Sequence, residues 1–128
     1  MVSKYTRLSL TGTINSAGAV DVYSDKIIRG KIKAVFLDRP AGTVAVTIQT
    51  DELVSQKIVE LSAGNTDVVI YPRVQVASND GTLLNNSNDG TAVSKLWDEF
   101  VVFSRLRLVC ASGTATQVVK VVVIYEEY

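Results

Sequence analysis

Alternation of apolar and polar positions is the dominant signal along this chain. Leu8, Leu10 and Ile14 alternate with Arg7, Ser9, Thr11 and Thr13, the period of two that a strand with one wet face requires. After Asn15-Ser-Ala-Gly18 a short strand is expected over Ala19 to Tyr23, and Ser24-Asp-Lys26 turns the chain into a long strand, Ile27 to Asp38. Within it Ile28, Gly30, Ile32, Ala34 and Phe36 share the inward face, and Arg29, Lys31 and Lys33 share the other. Arg39-Pro-Ala-Gly42 has the chemistry of a turn. Thr43 to Thr50 follows with Val44, Val46 and Ile48 inward, so the two strands read as a hairpin.

Between Asp51 and Ser62 the pattern is divided. Leu53, Val54, Lys57, Ile58 and Leu61 have a helical spacing, while Ile58 to Leu61 also extends as a strand; a turn followed by a short strand is the favoured reading. Ala63 to Asp67 is a loop. Val68 to Ala77 returns to strand with Val68, Ile70, Pro72, Val74 and Val76 on one face, and Pro72, which cannot donate to a ladder, places it at an edge or a bulge. That edge is a candidate interface. Ser78 to Val93 reads as a long polar loop containing Ser-Asn-Asp-Gly-Thr twice, at 78–82 and 87–91, and both copies favour turns. Phe100 to Ala111 and Thr116 to Glu127, joined through Ser112-Gly-Thr-Ala115, are the plainest pair in the chain and are expected to be central strands.

About eight strands result, with no helical period long enough for a crossover helix, which excludes a parallel α/β fold. The expected fold class is all-β, an antiparallel β-sandwich with a jelly-roll-like closure, forming a single domain over residues 1–128. Composition agrees. Val, Ile and Thr supply 40 of the 128 residues (21, 8 and 11), and β-branched side chains suit a pleated, half-buried surface. The chain has a mass of 13.8 kDa and a mean hydropathy of +0.22, with 47% apolar residues, too apolar for a disordered segment. Neither a secretory h-region nor a run of membrane-spanning length occurs, so a soluble, non-exported chain is expected.

Charge and chemistry narrow the function. Thirteen Lys and Arg balance thirteen Asp and Glu, so no net field draws in nucleic acid or an anionic membrane. There is no histidine, which removes imidazole-based nucleophiles, metal sites and switches. The single cysteine, Cys110, closes no intrachain disulfide and falls on the inward face with Leu106 and Leu108, as a buried thiol does. Asp80 and Asp89, in the repeated loop motif, are weak candidates for Ca²⁺ without EF-hand spacing. No metal, cofactor or small-molecule substrate is expected, and no enzyme activity.

Interaction surfaces are the remaining candidates. Arg29, Lys31 and Lys33, with Lys26 and Arg39 near them, form a cationic strand face without the interleaved aromatics of a nucleic-acid platform. Leu83 and Leu84 are apolar residues in a long loop, and Tyr71 and Arg73 stand on the predicted edge strand. Arg105 and Arg107 have Asp98, Glu99, Glu126 and Glu127 as candidate charge partners, across the sheet or between chains. Trp97, beside an apolar strand, and the tyrosines favour packing, or alternatively a sugar-binding face.

The stretch Gly30 to Thr50, then Asn65-Thr-Asp-Val-Val-Ile-Tyr-Pro-Arg73, then the closing valine-rich strand resembles the capsid decoration, or cement, proteins of tailed bacteriophages. The resemblance lies in strand layout and covers most of the chain. It implies a sandwich protomer, usually a homotrimer, made in the host cytoplasm and seated on the outer capsid. There it would bridge neighbouring copies of the major capsid protein, with no catalytic residue. A carbohydrate-binding sandwich module, or another virion component such as a head–tail adaptor or tail subunit, is the alternative.

Overall fold

The computed structural model describes residues 4–40, 42–75, 85–88, 91–95 and 97–128. In chain order the strands are β1 (Lys4–Thr13), β2 (Val20–Tyr23), β3 (Ile28–Asp38), β4 (Val44–Thr50), β5 (Lys57–Gly64), β6 (Val68–Ile70) and β7 (Val74–Gln75). They continue as β8 (Asn85–Asn88), β9 (Thr91–Lys95), β10 (Trp97–Asp98), β11 (Val101–Ser104), β12 (Leu106–Ala111) and β13 (Val118–Glu127). Nine of them build two antiparallel sheets packed as a β-sandwich. One sheet runs β1-β13-β3-β11, with β6 also on β3, and the other runs β2-β12-β4-β5. Two short ladders, β7 with β10 and β8 with β9, complete the described strands.

The alternation read from sequence sets the core. Leu8, Leu10, Ile32, Val35, Leu37, Val121 and Val123 of the five-stranded sheet meet Val44, Val46, Ile48, Leu106, Leu108 and Cys110 of the four-stranded one. Ile58 and Val59 are buried at the start of β5, which settles the divided stretch as a turn followed by a strand. Leu53 and Val54 stay in solvent.

The predicted hairpin is corrected. β3 pairs with β13, β11 and β6, whereas β4 pairs with β12 and β5, so the Arg39 turn crosses from one sheet to the other. Arg39 pins that crossing by donating to the carbonyls of Thr66 at 2.9 Å, Ser62 at 3.1 Å and Val44 at 3.3 Å, while its backbone N–H donates to the Asp67 carboxylate at 3.0 Å. Its guanidinium, with five donors in a rigid fork, is spent on the corner and does not join the cationic strand face.

The second predicted pair separates in the same way. The run from Phe100 to Ala111 breaks at Arg105: β11 lies on β3 in one sheet and β12 on β2 and β4 in the other, while β13 joins β1 and β3. β12 and β13 are central in their sheets, as expected, whereas β11, the first part of the run over residues 100–111, lies at the end of its sheet. Three buried hydroxyls sit at strand ends around the sheet switch, and each finds a partner, as buried polar groups must. Ser24 Oγ accepts from Leu106 N–H at 3.0 Å, Thr50 Oγ1 accepts from Gln56 N–H at 2.8 Å, and Ser104 Oγ donates to the Arg105 carbonyl at 2.8 Å.

Two further expectations change. The strand over residues 68–77 splits around buried Pro72 into β6 and β7, which a missing N–H explains; among the described residues β6 pairs with β3 alone and is an edge. The stretch 78–93, expected to be loop throughout, contains β8 and the start of β9, paired from Asn85 with Lys95 to Asn88 with Thr91.

Candidate interaction surface

The register between β13 and β3 contains the device that shapes the outer face of the five-stranded sheet. Ile124 stands opposite Ala34, but the next residue, Tyr125, stands opposite Ile32, so Lys33 is the extra residue of a bulge. A one-residue insertion exchanges the two faces of everything beyond it. Ile28 and Ile32 point inward before the bulge, and Val35 and Leu37 point inward after it. Phe36 is thereby turned out and left 43% exposed, which corrects its expected inward position.

Phe36 has apolar company. Along one row of the outer face Ser9, Val122, Phe36 and Val69 stand side by side, and along the next outward row Arg7, Ile124 and Ala34 do so. Val69 is 49% exposed, and Val122 and Ile124 are half-buried. Two shallow open grooves of about 450 and 510 Å³ share Phe36 and Val122 as a wall. β13 is thus apolar on both sides of the sheet, the pattern of a strand covered on both faces. Among the described residues only its inner face is covered.

Charged rows bound this band. On one side Lys120 stands opposite Asp38, and on the other Glu126 stands opposite Lys31. Among the described residues neither Lys120 nor Asp38 forms an ion pair within the chain. The bulged Lys33 lies 2.8 Å from Glu99 and 3.6 Å from Glu126. The hydrogen bond from Lys33 to Glu99 holds the ammonium above its ordinary pKa. The other carboxylate oxygen of Glu99 is buried and has no hydrogen-bond partner among the described residues.

The remaining sequence candidates sort by position. Of Arg29, Lys31 and Lys33, Lys33 is paired with Glu99 and Glu126, while Arg29 lies in register with Phe103 and accepts at its carbonyl from Tyr128 N–H at 3.0 Å. The Phe103 and Tyr128 rings stack with centroids 5.8 Å apart and 26° between planes, and both are exposed. Tyr71 is exposed just beyond β6, and the Arg73 guanidinium donates to the Pro72 carbonyl at 2.7 Å. Leu83, Leu84, Asp80 and Asp89 lie outside the described residues, as does the Trp97 side chain. No group of three or more Cys, Asp and Glu side chains suited to a metal occurs among the described residues.

The opposite face of the sandwich is already satisfied. Arg107 grips Asp21 with two hydrogen bonds, at 2.8 and 2.6 Å, and Arg105 pairs with Asp51 at 2.8 Å. These partners replace Asp98, Glu99, Glu126 and Glu127, because β12 runs in the four-stranded sheet beside β2 and β4. Tyr23 lies against both guanidinium groups, at 4.9 and 5.5 Å, and the hydrogen bond from Arg107 holds the Asp21 carboxyl below its ordinary pKa.

Cys110 is buried as the alternation predicts, and burial pushes its thiol up to about 11. The folded chain should resist a disulfide reagent at pH 8 and react fully once denatured, because the thiolate is the nucleophile. The native thiol keeps its proton to higher pH than the unfolded one, with its ordinary value of 9.0. Stability should therefore fall as pH rises from about 9 towards 11, and Cys110→Ala should flatten that fall in denaturant titrations.

What sequence reasoning missed is the apolar band itself, although the unbroken run Val121-Val-Val-Ile124 carried the signal. No family model, curated protein or solved structure matches this chain.

Proposed function

We propose that the protein is a non-enzymatic virion structural protein of the capsid-decoration type, which binds the outer surface of an assembled phage capsid and bridges neighbouring capsid subunits. The observation that carries the reading is the outer face of the five-stranded sheet. There a sandwich of small size leaves Phe36, Val69, Phe103 and Tyr128 in solvent on one side and pairs its charges on the other. Exposed apolar surface of this kind marks contact with another protein. The strand layout that resembles decoration proteins supplies the kind of partner. On this reading the aromatic end of the face, Phe103 and Tyr128 beside Arg29, meets the shell.

The mechanism is linkage. A protein that binds the assembled shell and not its dissociated subunits stabilises the shell by its binding free energy, and many copies multiply a weak contact. Purified protein added to expanded capsids from the same source should sediment with them and raise the temperature at which they break open. Phe103→Ala together with Tyr128→Ala should weaken that binding about tenfold or more, as loss of aromatic anchors does. Absence of the protein from every capsid of the source, with no binding to added shells, would overturn the reading.

A further inference from the structure

We infer that the central apolar band of the five-stranded sheet is covered by a second copy of this chain, the two outer faces packing about a two-fold axis that runs along the strands between β3 and β13. The charge pattern favours this occupant. Lys120 and Asp38 are neighbours in register that leave each other unpaired, and Glu126 and Lys31 are neighbours in the opposite order at the other end of the band. Exchanging β3 with β13 sets Lys120 of each copy over Asp38 of the other, and Glu126 over Lys31. Four cations meet four anions, and no like charges face each other.

Side-chain size agrees with the same operation. It places the large Phe36 over Val122 and Ile124 over the small Ala34, so each projection meets a shorter side chain. Extent is compatible. With ten residues in β13, a rise of about 3.4 Å per residue and about 4.8 Å between strands, the three long strands β1, β13 and β3 project about 490 Å². That is a little over half of the roughly 800 Å² each partner buries in a stable interface, and β6 with its exposed Val69 extends the face at one edge. Two sheets facing one another in this way pack in the aligned manner common to β-sandwiches, with strands about 30° apart. The contact is isologous, so it closes as a pair, whereas the capsid-decoration resemblance implies a trimer.

Gel filtration coupled to light scattering measures the outcome directly. The native chain should have twice the mass of 13.8 kDa. Phe36→Asp, a change at an already exposed position, should raise the dissociation constant about thirtyfold or more while leaving the circular dichroism of the fold unchanged. Lys120→Asp and Asp38→Lys should each weaken pairing about tenfold, because each brings like charges together twice per dimer. The double variant Lys120→Asp/Asp38→Lys should recover the dimer. A monomeric or trimeric native chain, or a double variant weaker than either single one, would overturn the pairing. Capsid binding is read separately: a monomer that still sediments with shells overturns the pairing alone, and a dimer that binds none overturns the capsid reading alone.

Discussion

A valine in place of Gly30 is expected to destabilise the fold by about 3 kcal/mol or more, the upper range for forcing atoms into a packed interior. Gly30 lies in β3 between two strands, opposite Glu127 of β13 and Val102 of β11. A side-chain carbon there would strike the Glu126 carbonyl oxygen and stand 2.9 Å from its carbon and 3.2 Å from Glu127 Cα. These are backbone atoms, held by the ladder, and three residues on the bulge at Lys33 already fixes their register. Relief would require the end of β13 around Glu126 to move away from β3, giving up the ladder bonds there. Gly42→Ala is the control. Its added carbon meets side chains and no backbone, Thr114 Oγ1 at 2.5 Å and Cβ at 3.3 Å and Gln117 Oε1 at 2.8 Å. These can turn aside at the loss of the 3.3 Å hydrogen bond from Gly42 N–H to Gln117 Oε1, so the cost should stay at about 1 kcal/mol. Denaturant midpoints of the two variants should separate clearly, and equal midpoints would contradict the role assigned to Gly30.

Leu106→Ala should cost about 2–5 kcal/mol, the range for a large aliphatic side chain removed from a core. With total stability of about 5–15 kcal/mol for a domain of this kind, the expected fall in melting temperature is about 10 °C or more. Leu106 is fully buried and is the first residue after the chain changes sheets. Its N–H donates to Ser24 Oγ at 3.0 Å and its carbonyl accepts from Ser24 N–H at 2.8 Å. The surroundings are therefore held by backbone bonds and have little freedom to close over the void. Leu53→Ala, at a position 103% exposed, should leave the melting temperature unchanged. A loss below about 1 kcal/mol at Leu106 would show that the sheet switch relaxes more readily than its hydrogen bonds suggest.

Much of the local structure was legible because its cause is local. A period of two in Arg7 to Thr13 or in Val44 to Ile48 shows both the strand and its buried face, and Cys110 takes its place with Leu106 and Leu108 for the same reason. Phe36 was misread because a single bulged residue, Lys33, inverts the alternation, and a lysine in a strand carries no mark of being the extra one. The hairpin expected across residues 39–42 does not form; it was misread because a turn at Pro40 and Gly42 looks the same whether the next strand pairs with the last or crosses to the facing sheet. That choice rests on contacts as distant as Arg39 with Thr66. The candidate surface was half legible. Arg29, Lys31 and Lys33 drew attention by their charge, while the apolar band beside them read as core.

The amino-acid sequence by itself determined that this chain is all-β, which stretches extend, and which side chains of most strands turn inward, since these follow from side-chain volume, branching and period. Only the tertiary structure decided which strands are neighbours, where the register slips, and which of the two apolar sides of β13 is covered. The physical reason is that pairing joins residues far apart in the chain, as when Leu8 meets Val123. Hydrophobicity records how much surface must be buried and leaves open what buries it, whether the other sheet, as inside this sandwich, or another chain.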